Sequence, residues 1–300
     1  MQFIAGLAVS AAFPSQASAR TEFSRDAAGC LVVPVRINGR GPYLFVLDTG
    51  SNRTVITPEL ANELGLAISN GGQRIVGVGG SASAGMTRLD HIDAGALQVR
   101  GVTAMVIAND RTMGPFGAAQ GALGMDGLAG KRLVIDLERG DFEIESGGDA
   151  APRGYEIVPG RLRFGHLLEI PIDIGGFAAR AVIDTGTQAT IANAPLLAQG
   201  VATTAPQRFA LVGANGAAAT SQAALLREIK LGPLMINRLL AQPGELPVLR
   251  GEDGKALPAL FLGMDALGQT KGFAIDFARA ELQVRLDPLQ LAWLRWTADG

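Results

Sequence analysis

Apolar residues along this chain alternate over short stretches that glycine keeps interrupting. Val33-Pro34-Val35-Arg36-Ile37 alternates, meets Asn38-Gly39, and resumes as Leu44-Phe45-Val46-Leu47. Ile170-Pro171-Ile172-Asp173-Ile174 does the same, meets Gly175-Gly176, and resumes as Ala181-Val182-Ile183. A period of two on either side of a two-residue turn predicts a β-hairpin at each place. Further short apolar runs bounded by glycine predict strands through most of the chain. Helical signals are few. Thr57-Pro58-Glu59-Leu60-Ala61-Asn62-Glu63-Leu64-Gly65 combines a capping threonine, a proline at the first helical position and a terminal glycine. Asp287-Pro288 opens a second candidate helix that runs through Trp296.

The two hairpins open two copies of one longer pattern. Pro34 precedes Asp48 by 14 residues, and Pro171 precedes Asp184 by 13. Asp48 to Gly77 and Asp184 to Gly213 are both 29 residues. Ala122-Leu123-Gly124-Met125-Asp126 then matches Phe261-Leu262-Gly263-Met264-Asp265, and each leads to a strand ending in aspartate, Asp136 or Asp276. The copies span roughly 30–146 and 165–287. The stretch Ser146-Gly147-Gly148-Asp149-Ala150-Ala151-Pro152-Arg153-Gly154 between them has the composition of a linker. The organisation expected is therefore a first lobe over 20–150, a linker over 151–164 and a second lobe over 165–300. An internal pseudo-dimer of this kind is expected to be monomeric.

Composition narrows the function. Hydrophobic residues make up 48% of the 300 and charged residues 18%, which suits a globular chain. The formal net charge of -2 and the lack of a basic cluster point away from nucleic acid. Cys30 is the single cysteine, so no internal disulfide or thiolate cluster can form. It reads as a small buried hydrophobe leading into a strand. His91 and His166 lie 75 residues apart, without the second ligand that a metal helix would place one turn away. No metal and no cofactor is expected. Residues 1–19 begin with an apolar run of signal-peptide length and end in Ala17-Ser18-Ala19. This predicts export to the periplasm or beyond, with cleavage after Ala19.

The candidate chemistry lies in Asp48-Thr49-Gly50-Ser51 and Asp184-Thr185-Gly186-Thr187. One such turn alone is an ordinary strand-end turn. Two at equivalent places in a duplicated fold meet at the pseudo-two-fold axis, carboxylate against carboxylate. Like charges about 3 Å apart cannot both ionise easily, so the pair shares a proton and offers one base and one acid. Asp126, Asp265, Asp136 and Asp276 read as turn-forming, hydrogen-bonding groups. Asn52-Arg53-Thr54 matches a glycosylation acceptor, but its place directly after the catalytic turn reads as structural. The run Gly77-Val78-Gly79-Gly80 is followed by no helical pattern, so it reads as a hairpin tip rather than a nucleotide loop.

These motifs resemble the pepsin and retropepsin superfamily, and most closely the bacterial retropepsin-like aspartyl proteases with two tandem lobes. The resemblance rests on Phe45-Val46-Leu47-Asp48-Thr49-Gly50-Ser51, Ala181-Val182-Ile183-Asp184-Thr185-Gly186-Thr187, and the segments ending in Gly124 and Gly263. It implies an all-β, bilobal fold of two closed barrels with few short helices. It implies Asp48 and Asp184 as the catalytic pair of an aspartic endopeptidase that acts on peptide or protein substrates. Thr49 and Thr185 are expected to brace the two turns, with Gly50 and Gly186 beside them. Ser51 and Thr187 are expected to hydrogen-bond the outer carboxylate oxygens. Gly77, Val78, Gly79 and Gly80 take the place of the flap over the substrate. The flap lacks the tyrosine of pepsin-like enzymes, the lobes are short and disulfides are absent, which points to the bacterial branch. A non-catalytic peptide-binding module of the cell envelope is the alternative; two opposed ionisable groups favour the enzyme.

Overall fold

The computed structural model describes residues 20–26, 29–77, 80–107, 119–204, 207–212, 218–245, 250 and 255–287. The predicted leader (1–19), Val78, Gly79, Gly213 and the C-terminal helix candidate lie outside these.

The fold is all-β and bilobal, as the alternating pattern predicts. Asn38 and Gly39 both take positive φ, 51° and 79°, at the tip of the first hairpin, and Gly175 and Gly176 do so at 58° and 92° in the second. Two successive positive φ values are what a tight two-residue hairpin requires, which is why asparagine and glycine stand there.

In the first lobe Leu31–Ile37 pairs antiparallel with Arg40–Leu47. Arg40–Leu47 lies parallel to Gly121–Leu123, which pairs with Val55–Ile56. That strand in turn pairs with Leu97–Val106, then Gly80–Ala94, which returns to the first strand through Arg36 opposite Asp93 and Ile37 opposite Ile92. This last pairing closes the sheet into a six-stranded barrel. The second lobe repeats the order with Leu167–Ile174, Phe177–Ile183, Ala259–Leu262 and Thr190–Ala192. Its two remaining strands are interrupted. One runs as Ala218–Leu225 and Ile229–Leu231, the other as Leu234–Ile236 and Leu240–Pro243. Asp173 opposite Lys230 and Ile174 opposite Ile229 make the return pairing.

A third sheet joins the lobes. Its central strands are Lys131–Asp136 and Gly272–Asp276, paired antiparallel with Val134 opposite Ala274. Asp141–Ser146 and then Arg20–Glu22 extend it on one side, Glu281–Arg285 and then Tyr155–Pro159 on the other. The linker expected over 151–164 is corrected here. Tyr155–Pro159 edges the joining sheet and Arg161–Arg163 pairs with Leu167–Glu169. Glycine and proline mark only the turn up to Gly154; beyond it Tyr155-Glu156-Ile157-Val158 has strand chemistry and finds a partner 120-odd residues away, which local composition cannot reveal. Most buried apolar residues of both lobes and the joining sheet form one core in which Phe45, Phe142 and Phe273 are fully enclosed, and two smaller clusters gather around Val46 and Val182.

The helix Pro58–Leu64 forms as its caps predict: Thr57 accepts from the Leu60 amide at 3.2 Å, and Gly65 takes φ 70°. Asn193, nine residues after Asp184 as Thr57 is nine after Asp48, caps the short helix Ala194–Leu197 by accepting from the Leu196 amide. Among the described residues no helix is long and apolar enough to cross a membrane.

The strand-end aspartates anchor the joining sheet. Asp276, fully buried, accepts from Arg132 Nε and Nη2 at 3.1 and 3.0 Å and from the amides of Ala278 and Arg279. Arg132 is 3% exposed and also meets Glu145 at 3.3 Å, but its two shorter carboxylate bonds go to Asp276. Asp276→Ala should therefore destabilise the protein by about 3–5 kcal/mol, the usual result of stranding one member of a buried pair. Urea denaturation measures it; a loss below about 1 kcal/mol would mean that Arg132 finds water or another acceptor.

Candidate active site

Each lobe delivers its Asp-Thr-Gly turn by the same local construction. The strand ending at Leu47 runs parallel to the strand ending at Leu123, and the amide of Asp48 donates to the Leu123 carbonyl at 3.0 Å. The strand ending at Ile183 runs parallel to that ending at Leu262, and the Asp184 amide donates to Leu262 at 3.1 Å. The turn then passes over the glycine that follows. A methyl group on Gly124 would meet the Thr54 amide nitrogen at 2.8 Å, and one on Gly263 the Ala189 carbonyl carbon at 2.9 Å. Such distances explain why glycine closes both apolar segments.

Asp126 and Asp265 tie the far side of each turn. Asp126 Oδ2 accepts from the Thr54 amide. Asp265 accepts from the Thr190 amide at 2.9 Å and its hydroxyl at 2.7 Å. The hydrogen-bonding role read for both from sequence matches these contacts.

The two turns are crossed through their threonines. Thr49 Oγ1 donates to the Ile183 carbonyl at 2.9 Å and accepts from the Thr185 amide at 3.0 Å. Thr185 Oγ1 donates to the Leu47 carbonyl at 2.6 Å and accepts from the Thr49 amide at 3.1 Å. Both side chains are buried, at 2% and 0% exposure. Each hydroxyl thus spends both its donor and an acceptor on the opposite lobe. Valine has the same shape without the hydroxyl and could make neither bond.

This crossing sets the Asp184 carboxylate against Gly50 and the Asp48 carboxylate against Gly186, so the two carboxyl groups face each other across the lobe boundary. Asp48 Oδ1 also accepts from the Gly50 amide at 2.9 Å, and Asp184 Oδ1 from the Gly186 amide at 2.8 Å. Gly50 lies against the carboxylate of Asp184: an added methyl would sit 2.5 to 2.7 Å from its three carboxyl atoms. Gly186 lies likewise against Asp48, with Oδ1 at 2.5 Å. Asp184 is buried and Asp48 half-buried. Loss of water around Asp48 pushes its carboxyl up to about 6, against the opposing pull of the Gly50 amide. The same desolvation, joined by the neighbouring Asp48 charge, raises Asp184 well above the usual carboxylate range. The pair therefore keeps a proton near neutral pH.

Ser51 and Thr187 are placed differently from expectation. The Ser51 hydroxyl donates to the Arg53 carbonyl at 2.8 Å, and Thr187 to Ala189 at 3.1 Å. A hydroxyl has one proton. Here both are committed to the carbonyl two residues on, which shapes the turn rather than the carboxylates. Gly77 and Gly80 face each other at the end of the hairpin Ser69–Gly77 and Gly80–Ala94, while Val78 and Gly79 lie outside the described residues.

One neighbour of the dyad was not legible in sequence. Cys30 is buried with its thiol 3.7 Å from the Gly186 carbonyl, across the lobe boundary. Burial first, then the charges of Asp26, Asp184 and Asp48, push the thiol up to about 12. It stays protonated and unreactive. The equivalent of Cys30 in the second copy is Leu167, four residues before its proline, so the repeat register was the one available signal.

The family model described as aspartyl protease matches residues 33–126. The first lobe is thus similar to an aspartyl protease domain over these residues. The matched segment holds Asp48, the flap hairpin and Gly124, and the second lobe repeats its landmarks. A solved retropepsin-like aspartic protease from Rickettsia conorii is 19% identical over 37% of this chain and 78% of its own, with a TM-score of 0.26. Comparison with curated proteins finds none that matches.

Two outcomes test this geometry. Gly50→Ala should drive a methyl into the Asp184 carboxylate and lower the melting temperature by several degrees, since overpacking costs about 1–3 kcal/mol; an unchanged melting curve would show that the turns are not in contact. The raised dyad stabilises the fold only while protonated, so its contribution is present below about pH 4 and is lost as pH rises through about 6. Asp184→Asn cannot ionise there. Its stability relative to the natural protein should grow between pH 5 and pH 8, and a constant difference across that range would contradict the shared proton.

Proposed function

We propose that the protein is an aspartic endopeptidase in which Asp48 and Asp184 activate water against a peptide bond. The observation that carries this reading is the opposed pair of carboxyl groups, each accepting from its own turn's glycine amide and pressed against the other lobe's glycine. With one proton on the pair, the ionised member takes a proton from a bound water as the oxygen attacks the scissile carbonyl carbon. The protonated member gives its proton to the carbonyl oxygen. The resulting gem-diol collapses as one carboxyl group gives a proton to the amide nitrogen while the other takes a proton from a gem-diol hydroxyl, and the C–N bond breaks to release acid and amine. No covalent enzyme intermediate arises, and the dyad ends with the one proton it began with. The buried site raises the strength of each of these interactions and withholds competing water.

The hairpin that ends at Gly77 and Gly80 supports the role of a flap, because a paired, glycine-tipped ribbon offers backbone groups to an extended chain. The apolar run and Ala17-Ser18-Ala19 support export to the envelope. A peptide-holding module without turnover is the other reading. It shares the flap but has no use for a proton-sharing pair.

Asp48→Asn and Asp184→Asn should each reduce cleavage of an unfolded protein by at least about 10²–10⁴-fold, the range for loss of a general acid or base. Full activity in either variant would sink the assignment. The rate of the natural protein should climb as pH rises through about 6, where the doubly protonated pair loses its first proton. A rate that peaks near pH 3 would show instead that the lower ionisation of the pair is not raised.

A further inference from the structure

The lobes match landmark for landmark, so the places where their chemistry differs can be read directly. One such place lies on the strand that delivers Asp184. In the first lobe Val32 pairs with Val46 and Pro34 with Leu44. In the second Glu169 pairs with Val182 and Pro171 with Arg180. Glu169 thus stands where the first lobe has Val32, and Arg180 where it has Leu44. Burial matches at the first pair although chemistry does not, with Val32 and Glu169 4% and 2% exposed, while Leu44 is exposed and Arg180 half-buried.

Three guanidinium groups converge on the Glu169 carboxylate. Arg161 Nη2 lies 2.7 Å from Oε1, Arg180 Nη1 2.8 Å from Oε1, and Arg163 Nη1 3.1 Å from Oε2. Arg163 Nη2 also donates to the Arg250 carbonyl at 2.8 Å. These four arginines, with Phe164 and Leu257, line an open pocket of about 500 Å³. Phe164 is 68% exposed, and the Arg163 guanidinium lies 5.5 Å from its ring centre. A guanidinium carries five N–H donors and a carboxylate about four acceptor sites. One glutamate cannot use what three arginines offer, and the half-exposed heads of Arg161 and Arg180 turn the surplus toward solvent. The exposed N–H donors of Arg161 and Arg180 are therefore available to an oxyanion that enters the pocket.

Its position ties it to the dyad. Arg180, Val182 and Asp184 alternate along one strand, so their side chains share a face, and four residues of extended chain span about 13 Å. His166, two residues past Phe164, donates from Nδ1 to the Phe164 carbonyl at 2.6 Å, which fixes the turn that carries Phe164 into the pocket.

We propose that this arginine pocket is a specificity subsite that takes an acidic side chain of the peptide substrate, a few residues to one side of the scissile bond. The assignment rests on the peptidase reading of the dyad. The opposite side of the pseudo-symmetric site presents Leu44 and Val32 at the equivalent positions and has no such attraction. The protein thus favours a chain that is acidic on one side of the cut only.

The test uses synthetic peptides with one fixed cleavable bond and a single glutamate, or glutamine in its place, moved through the second to fifth positions on each side. Glutamate should raise kcat/KM over glutamine by about tenfold at one or two positions on one side, as a charge-assisted hydrogen bond would. Arg180→Gln and Arg161→Gln, both half-exposed sites that leave Glu169 two arginine partners, should erase that preference without changing the rate on the glutamine peptides. Equal rates for the two peptide series, or equal losses on both in the variants, would overturn the proposal. Fluorescence anisotropy of the same labelled peptides, with inorganic phosphate as competitor, reads the pocket without turnover. Failure of catalysis then bears on the dyad alone, while binding that ignores glutamate, or that phosphate displaces more tightly than the acidic peptide, overturns the subsite.

Discussion

The structure depends on the crossed hydrogen bonds between Thr49 and Thr185. Two carboxylates that must touch repel each other once both ionise, and nothing in either lobe alone holds them together. Four buried bonds between the two turns do so. Each contributes about 1 kcal/mol net, but removing one partner strands the other in the core at about 1–3 kcal/mol. The crossing is therefore easier to keep whole than to weaken by degrees. It sets the carboxyl separation directly, because each aspartate precedes its bridging threonine by one residue. Reach from strand to dyad is too short for either turn to drift independently.

The joining sheet supplies the second restraint. With Val134 opposite Ala274 at its centre, it pairs the lobes backbone to backbone beneath the same axis that the threonines cross. Its strand ends are fixed by the Arg132–Asp276 pair and by its counterpart, Asp136 with Arg285 at 2.8 Å. Rotation of one lobe against the other would break several ladder bonds and expose part of the common core. The dyad is held by this rigidity, and desolvation can then raise both carboxyl groups without the pair separating.

Much of this was legible in the sequence because the sequence says it twice. A lone Asp-Thr-Gly is a turn; the repeat converts Asp48 and Asp184 into a pair, and the spacing from each to its apolar segment before Gly124 or Gly263 predicts which strands must lie side by side. Thr57 and Gly65 announced the one conventional helix through local capping chemistry. What stayed hidden depends on partners far away in the chain. Tyr155–Pro159 reads as linker because its partner, Glu281–Arg285, lies at the other end of the second copy. Cys30 sits beside Gly186 only because the lobes face each other. The hydroxyls of Ser51 and Thr187 were expected at the carboxylates, but each commits its single proton to the backbone carbonyl two residues on.

Fusing two copies in one chain has a chemical consequence that a symmetric dimer cannot have. In a dimer of identical subunits, any residue placed on one side of the axis appears on the other, so an extended substrate meets the same environment in both directions from the cut. A peptide is itself directional, and the two ends of a bound chain differ. Once the copies are covalently joined, each can diverge provided that the threonine crossing and the joining sheet are kept. Glu169 against Val32 and Arg180 against Leu44 are divergence of that kind. They fall on the hairpin that leads to Asp184, and Glu169 is as buried as Val32, so the fold accepts the exchange while the charge changes. A buried glutamate in place of valine is seldom retained for stability alone, since hydrophobic replacements of buried ion pairs are often neutral or better. Its effect here is to hold three arginines in one orientation beside the site. On the proposed reading, the symmetric part of the molecule supplies the water-activating pair, and the asymmetric part is left free to choose what that pair acts on.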